Sequence, residues 1–213
     1  MNARPRPGIL HLQDLSFAYA GQPPLAAHWS ATVGGGVTQL HGDTGSGKST
    51  LLRVLAGALP ADGRLTLGGA HLRDDAQAYR RHVFWCDPAT QAFEQVTARD
   101  CTASLSAGDA GFSERDWQAL AEGFALTPHL DKPMYMLSTG SKRKVWLAAA
   151  LAGGRALTLF DEPTGGLDAA SIACLWRALG GIARRADRAV VIASAERIDR
   201  VPLAATIELP LPR

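Results

Sequence analysis

The chain has 213 residues, of which 46% are hydrophobic and 20% are charged, and its formal net charge is +2 at pH 7. This length and composition predict one globular domain, or one domain with a small subdomain. The weak net charge gives no electrostatic reason to expect a nucleic-acid partner, and no run approaches the 18 apolar residues of a membrane-spanning helix. Three scattered cysteines, outside any CxxC pair, indicate reduced thiols of a cytoplasmic protein.

Two strand candidates open the chain. Residues 9–19 alternate partly in polarity and predict an edge strand, and a second strand is predicted from about His28 to Val33. Both precede a glycine-rich loop, so we expect an antiparallel β layer that flanks the rest of the fold. Tyr19, at the end of the first segment, is an aromatic residue that can stack on a purine base or simply belong to the core or the surface.

The glycine-rich loop Gly42–Thr50 matches the pattern G-x-x-x-x-G-K-[ST] without a mismatch. A β-prone segment at 37–40 precedes it and an apolar helix is predicted over 50–56, the arrangement that aims a helix N-terminus at phosphate. In such a loop Lys48 reaches the β- and γ-phosphates and the Ser49 hydroxyl ligates Mg²⁺. The predicted phosphate-binding residues are Gly42, Asp43, Thr44, Gly45, Ser46, Gly47, Lys48, Ser49 and Thr50.

The middle of the chain changes in character. A strand is predicted at 64–69 and a short buried strand from Val83 to Cys86, followed by a loop from Asp87 to Arg99. Glycines and a proline then punctuate short helical pieces over 100–136, including one from Glu114 to Glu122, which predicts a small inserted helical subdomain.

The segment 142–154 predicts a helix that ends at Gly153, with Ser138 as a candidate N-cap. Three cations, Lys142, Arg143 and Lys144, stand in its first turns, against the preference of the helix dipole. A solvated helix face and a bound anion explain these cations about equally well.

A run of mainly apolar residues, 156–160, ends in Asp161 and Glu162. This pattern predicts a buried strand that delivers two acids to its carboxyl end, where open α/β sheets bind ligands. Asp161 is placed to hold Mg²⁺ through water, and Glu162 to activate an attacking water as general base. A helix at 169–179, a buried strand at 189–193 and a short strand near 206–209 complete the predicted elements.

Taken together, the chain resembles the nucleotide-binding subunit of ABC transporters from end to end. The matching features are Tyr19, the loop GDTGSGKST, the stretch LSTGS at 137–141, the run LTLFDEPTGGLD at 157–168 and the last buried strand. The order of LSTGS and LFDEP, about 20 residues apart, is far more specific than either piece alone.

The resemblance implies a single ABC-type ATP-binding domain over 1–213, of class α/β. Its parts would be a P-loop NTPase core with a mostly parallel sheet, an antiparallel β subdomain, and a helical subdomain at about 100–153 that carries LSTGS. It implies ATP and Mg²⁺ as cofactors and a translocation-coupled ATPase. It also implies a place on the cytoplasmic face of the inner membrane, with separate transmembrane subunits as partners.

The resemblance further implies a head-to-tail dimer, with itself or with a second ATP-binding subunit. Each ATP would lie between the phosphate loop of one subunit and LSTGS of the other. Tyr19 would stack on the base, Ser138 and Gly140 would contact the γ-phosphate of the partner's ATP, and Asp168 would reach across the dimer seam.

Three features depart from the family pattern. In this chain Thr139 replaces the first glycine of the usual LSGGQ, and Ser141 replaces its glutamine. A threonine methyl can obstruct an approaching phosphate. The family glutamine after the strand at 83–86 falls near Pro88, so Gln91 takes its role only if the loop bulges. Ala195 stands where the family has a switch histidine, and no histidine follows His129.

Two functions of different kinds follow. The first is an ATPase subunit that drives a membrane translocator, with slow or partner-dependent turnover. The second is a nucleotide-regulated scaffold that binds ATP and hydrolyses little; the retained Glu162 favours the first. A soluble repair or translation ABC protein is a weaker idea, because those carry two cassettes or long inserted coils. The small size resembles bacterial exporter-type subunits, including those of haem export for cytochrome c assembly.

Overall fold

A computed structural model describes residues 8–87 and 90–211. The chain forms two compact units. The first comprises Met1–Trp85, Arg155–Glu162 and Gly181–Arg213, and the second comprises Cys86–Gly154 and Pro163–Gly180. Pro88, the sequence position expected for the family glutamine, lies outside the described residues.

The first unit holds an antiparallel sheet with the strand order β2-β1-β4-β5. Its strands are β1 (Gly8–Phe17), β2 (Ala26–Gly34), β4 (Asp62–Leu67) and β5 (Ala70–His71). The predicted edge position of β1 is wrong, because β1 pairs with β2 on one side and β4 on the other. Its broken alternation has another cause: the pairing register shifts between Leu12 and Leu15, where Asp14 adopts a φ of 55°.

The same unit holds a five-stranded sheet with the order β6-β7-β8-β3-β9, in which every neighbouring pair is parallel. Its strands are β3 (Gly36–His41), β6 (Val83–Phe84), β7 (Leu157–Asp161), β8 (Ala189–Ser194) and β9 (Leu203–Glu208). Strand β6 is two residues shorter than the predicted strand, since its pairing with β7 ends at Phe84. The continuous burial of β7 and β8 fits parallel strands covered on both faces.

Two helices complete the first unit: α1 (Lys48–Leu55) and α2 (Ala76–Arg81). Helix α1 brings Leu51, Leu52 and Leu55 into a core that also takes buried apolar residues from both sheets. Helix α2 was not predicted from the sequence. It begins after Asp75, whose carboxylate accepts a hydrogen bond from the Ala78 N–H at 2.8 Å, a local cap easily overlooked in a polar stretch.

The second unit is helical. It contains α3 (Ala98–Ser106), α4 (Glu114–Gly123), α5 (Thr139–Ala152) and most of α6 (Ala169–Ile182), with short 3₁₀ turns at Thr127–His129 and Met134–Met136. Helix α4 confirms the predicted helical piece, and α5 the predicted helix with its Ser138 cap. Helix α3 begins inside the predicted loop, because the Thr97 hydroxyl caps it.

Helix α5 is the centre of this unit, and its alanines Ala148, Ala149, Ala150 and Ala152 are buried. Such small side chains allow neighbouring helices to approach closely. In the part of the chain that the structure describes, no helix is both long and apolar enough to cross a membrane.

Candidate nucleotide-binding site

Three loops of the first unit leave the same edge of the parallel sheet. Strand β8 lies between β7 and β3, with Ala193 level with Asp161 and Ser194 level with His41. Because parallel strands present their carboxyl ends together, the loop after β3, the acids after β7 and the loop after β8 share this edge.

The loop after β3 is shaped around Lys48. This side chain is 7% exposed, and its Nζ lies 2.7 Å from the Gly42 carbonyl oxygen and 2.9 Å from that of Asp43. Gly47 has a φ of 96°, and a Cβ there would stand 2.4 Å from Leu25 Cδ1. The positive φ therefore favours glycine at this position, whereas the Leu25 side chain could move to admit a Cβ.

The loop has the free donors that a phosphate needs. Helix α1 begins at Lys48 with no side-chain cap hydrogen bond at Gly47, so its first N–H groups receive no side-chain acceptor there. The Ser46 hydroxyl is buried and, among the described residues, has no hydrogen-bond partner. Phosphate oxygens satisfy both kinds of donor, so the loop fits a nucleotide phosphate group.

Tyr19 lies beside this loop. It is 48% exposed, its hydroxyl lies 3.1 Å from Thr50 Oγ1, and its ring meets the Phe17 ring edge-on at 5.0 Å. Together with loop residues it borders a cavity of about 470 Å³. The lining residues are Tyr19, Ala20, Gln22, Pro23, Pro24, Leu25, Gly45, Ser46, Gly47, Thr50 and Pro210. An exposed aromatic next to a phosphate loop is suited to stacking on a base.

The two acids after β7 differ in their surroundings. Asp161 is the last residue of β7 and is half-buried. Glu162 has a φ of 43°, a left-handed conformation that is strained for a side chain with a Cβ. Its N–H donates to the Ala193 carbonyl at 3.0 Å, and its Oε1 accepts from the Ala195 N–H at 2.9 Å. The hydrogen bond from the Ala195 N–H holds one oxygen of the carboxylate toward the loop after β8.

A magnesium ion fits this edge through few protein ligands. Within residues 8–87 and 90–211, no three His, Cys, Asp or Glu side chains cluster as a metal site. Mg²⁺ in phosphate-transfer sites usually keeps water and phosphate ligands and takes only one or two from the protein. The Ser49 hydroxyl and the Asp161 carboxylate are hard oxygen donors of that kind.

The LSTGS stretch forms the start of α5 in the second unit. Ser138 Oγ accepts from the Ser141 N–H at 3.1 Å and donates to Ser141 Oγ at 3.0 Å. A Cβ on Gly140 would stand 2.4 Å from the Gly166 carbonyl oxygen, so only glycine fits there. Thr139 is exposed. Ser141 thus completes a local cap, in place of the longer glutamine of the family pattern.

Residues 31–165 match the family model described as ABC transporter. The chain belongs to this family. It is 37% identical over 170 residues to the cytochrome c biogenesis ATP-binding export protein CcmA of Cupriavidus pinatubonensis, covering 78% of this chain and 74% of that protein. It is 35% identical over 185 residues to the cobalt import ATP-binding protein CbiO of Rhodobacter capsulatus, covering 82% and 65%.

Solved structures of similar fold are also ABC transporter ATP-binding proteins. A putative ABC transporter ATP-binding protein of Pyrococcus furiosus superimposes with a TM-score of 0.75 at 21% identity, covering 94% of this chain and 96% of that one. The predicted α/β fold class is confirmed. The chain is an ATP-binding subunit of an ABC transporter, a kind of subunit that hydrolyses ATP, dimerises and works with transmembrane subunits.

Ala195 is the residue predicted to stand at the switch-histidine position of the family. Ala195 is exposed, and its N–H is the group that reaches Glu162. Sequence reasoning missed the residue behind this loop, Gln39 on β3. Its Nε2 donates to the Glu196 carbonyl at 2.7 Å, and its Oε1 accepts from the Ile198 N–H at 3.2 Å. The available signal was one amide side chain in the β-prone segment 37–40.

The three cations at the start of α5 pair with groups of their own unit. Lys142 lies 2.6 Å from both carboxylate oxygens of Glu94, Lys144 lies 2.5 Å from Asp168, and Arg143 donates to the Gly165 carbonyl. Neither predicted explanation, a solvated face or a bound anion, was needed. The protein's own acceptors offset the unfavourable helix dipole.

Asp168 also caps α6, because it accepts hydrogen bonds from the Ser171 N–H and Ser171 Oγ, each at 2.9 Å. The hydrogen bond from Lys144 and those from Ser171 hold the pKa of Asp168 well below its usual range. The carboxylate predicted to reach across a dimer seam is thus engaged within its own chain.

Gln91, the other candidate for a displaced family residue, is exposed and lies in a turn in which its carbonyl accepts from the Glu94 N–H at 3.3 Å. The three cysteines, Cys86, Cys101 and Cys174, have free thiols. Burial raises the pKa of Cys86 to about 12 and that of Cys101 to about 11, so both are protonated at neutral pH.

Proposed function

We propose that this chain binds Mg²⁺-ATP at the loop Gly42–Thr50 and hydrolyses it slowly, with Glu162 as general base. The observation that carries the proposal is the fixed Glu162 carboxylate, which leaves the same sheet edge as the phosphate loop. A scaffold that only binds nucleotide has no need of a general base at this edge.

Each residue of the site would have its own role in ATP binding or hydrolysis. Lys48 exchanges its two carbonyl partners for oxygens of the β- and γ-phosphates, and Tyr19 stacks on the base. Ser49 and, through water, Asp161 hold Mg²⁺, which neutralises charge on the phosphates when bound. Glu162 accepts a proton from a water molecule as that water attacks the γ-phosphorus and the bond to ADP breaks.

The complete site would include a second subunit. Ser138 and Gly140 stand at the start of a helix of 14 residues, where backbone N–H groups favour an anion, and would contact the γ-phosphate of a partner's ATP. The partner would be a second copy or another ATP-binding subunit. The pair would bind transmembrane subunits on the cytoplasmic face of the inner membrane. Because relatives of similar identity are named for export and for import, the proposal concerns the ATPase cycle and leaves the cargo open.

The second candidate is a nucleotide-regulated scaffold that hydrolyses little. Three departures from the family pattern favour it: Ala195 and Ser141 lack the side chains of the family histidine and glutamine, and the Thr139 methyl can obstruct an approaching phosphate. The two functions predict different results for Glu162→Gln: it lowers ATP turnover in an ATPase and leaves the low turnover of a scaffold unchanged.

The test is steady-state ATP turnover of the purified chain, alone and with its transmembrane partner, for wild type, Glu162→Gln and Glu196→Gln. Glu196 is an exposed acid on the loop after β8 and serves as the matched control. We expect Glu162→Gln to lower turnover about 10²–10⁴-fold and Glu196→Gln to leave it unchanged. Turnover that is equally low in wild type and Glu162→Gln, with the partner present, would establish the scaffold instead.

A further inference from the structure

Gln39 is a fully buried amide in the middle of the parallel sheet, 1% exposed. A buried amide is costly unless its groups are hydrogen-bonded. Both ends of this one are bonded, the Nε2 to the Glu196 carbonyl and the Oε1 to the Ile198 N–H. Both partners lie in the loop that follows β8, so the side chain connects β3 to that loop.

The same loop aims Glu162. The Ala195 N–H lies one residue before Glu196 and donates to Glu162 Oε1 at 2.9 Å. The Ala195 N–H therefore lies between the end of β8 at Ser194 and the part of the loop that Gln39 holds at 196 and 198. A change of about 1 Å in a catalytic geometry can cost on the order of 10²-fold in rate.

Gln39 is not needed to hold its own strand. Strand β3 is hydrogen-bonded to β8 on one side and to β9 on the other. The neighbouring Thr38 is equally buried, yet its hydroxyl has no hydrogen-bond partner among the described residues. The hydrogen bonds of the Gln39 amide therefore hold the loop after β8 and are not required to hold β3 in the sheet.

We propose that Gln39 is a positioning residue for ATP hydrolysis: it holds the loop after β8 so that the Ala195 N–H orients the Glu162 carboxylate. The inference rests on the proposed function of Glu162 as general base. In this chain position 195 is alanine, so its side chain cannot orient the base. The Ala195 N–H orients Glu162 instead, and Gln39 on β3 supports the loop that carries this N–H.

The test begins with Gln39→Met, which keeps the length of the side chain and removes its donor and acceptor, and Thr38→Val as the matched control on the same strand. We expect Gln39→Met to lower kcat about ten-fold, to leave ATP affinity within two-fold, and to speed amide hydrogen exchange in the segment 194–198. Thr38→Val should change none of the three. If Gln39→Met is not folded at the assay temperature, Gln39→Asn, one methylene shorter, should show the same three results.

Glu162→Gln and the double variant Gln39→Met/Glu162→Gln separate this inference from the proposed function. If Glu162→Gln alone leaves turnover unchanged, the proposed base is wrong. If Glu162→Gln lowers turnover but Gln39→Met changes neither kcat nor exchange, the positioning role of Gln39 is wrong. We expect the double variant to turn over no more slowly than Glu162→Gln; a further ten-fold loss would overturn the positioning role.

Discussion

Lys48→Ala is the most direct test of the phosphate loop. In the structure the Lys48 ammonium is buried and makes two hydrogen bonds, to the carbonyls of Gly42 and Asp43. In the nucleotide complex we expect it to make about two to phosphate oxygens instead. A hydrogen bond to a charged group is worth about 1.5–3 kcal/mol. Because the two carbonyl bonds are given up when the two phosphate bonds form, the loss of ATP binding should be nearer the worth of one such bond, about 1.5–3 kcal/mol, or about 10–10²-fold.

The same loss is visible as a change in thermal stabilisation. ATP at 100 times the dissociation constant stabilises the folded wild type by about 2.7 kcal/mol. For a domain of this size that should raise the melting temperature by about 5–11 °C. Lys48→Ala should show a clearly smaller rise at the same ATP concentration. Because the variant also loses two internal hydrogen bonds, its melting temperature without ATP is measured first, as the reference.

Calorimetry with ATP and Mg²⁺ gives the affinity itself, and Lys132→Ala, an exposed lysine of the helical unit, is the control. We expect wild-type affinity for the control. A folded Lys48→Ala variant that binds ATP within three-fold of wild type would refute the assignment of this loop as the phosphate site.

Three further results are expected. Glu162→Gln should keep ATP affinity and show more ATP-bound dimer than wild type by size-exclusion chromatography, and an unchanged elution profile would argue against arrest of the cycle after binding. Ala195→His should raise kcat, by up to about 10²-fold, since one positioned donor to phosphate charge is worth about 2.7–4 kcal/mol; a lower kcat would show that the loop after β8 does not accept the ring. The pKa of Asp168 is lower in the folded chain than in the unfolded chain. Its carboxylate therefore stabilises the fold at pH values above the unfolded pKa of about 4, and this stabilisation is lost as the pH falls. The difference in urea midpoint between wild type and Asp168→Asn should therefore shrink from pH 6 to pH 3, and a constant difference would contradict the pairing with Lys144.

The elements that sequence reasoning placed well have strong local signals. The loop Gly42–Thr50 has a fixed spacing of glycines, and β7 and β8 are continuous apolar runs. Ser138 could be predicted as a cap because serine is strongly preferred immediately before a helix. In each case the information lies within about ten residues of the chain.

The elements that it missed depend on contacts between distant segments. The inner position of β1 follows from its pairing with β4, about 50 residues later, and the partner of Lys142 is Glu94, 48 residues earlier. Gln39 bonds to residues 157 and 159 positions away. No periodicity or short motif carries such pairings, so a single sequence leaves them open.

The departures from the family pattern divide between the two halves of a predicted site. Ala195 belongs with the phosphate loop of the same subunit, whereas Thr139 and Ser141 would face a partner's ATP. In a homodimer every site has both departures, so a gain from Ala195→His is limited by the altered LSTGS at the same ATP. In a heterodimer with a complete partner, this chain's loop meets an unaltered signature, and only the partner's ATP meets Thr139 and Ser141. Ala195→His should then act only at the site with this chain's phosphate loop. Thr139→Gly with Ser141→Gln should act only at the site with the partner's phosphate loop. The two changes would add when made together in a heterodimer, and would multiply in a homodimer, which makes their combination in kcat measurements the experiment that distinguishes the two assemblies.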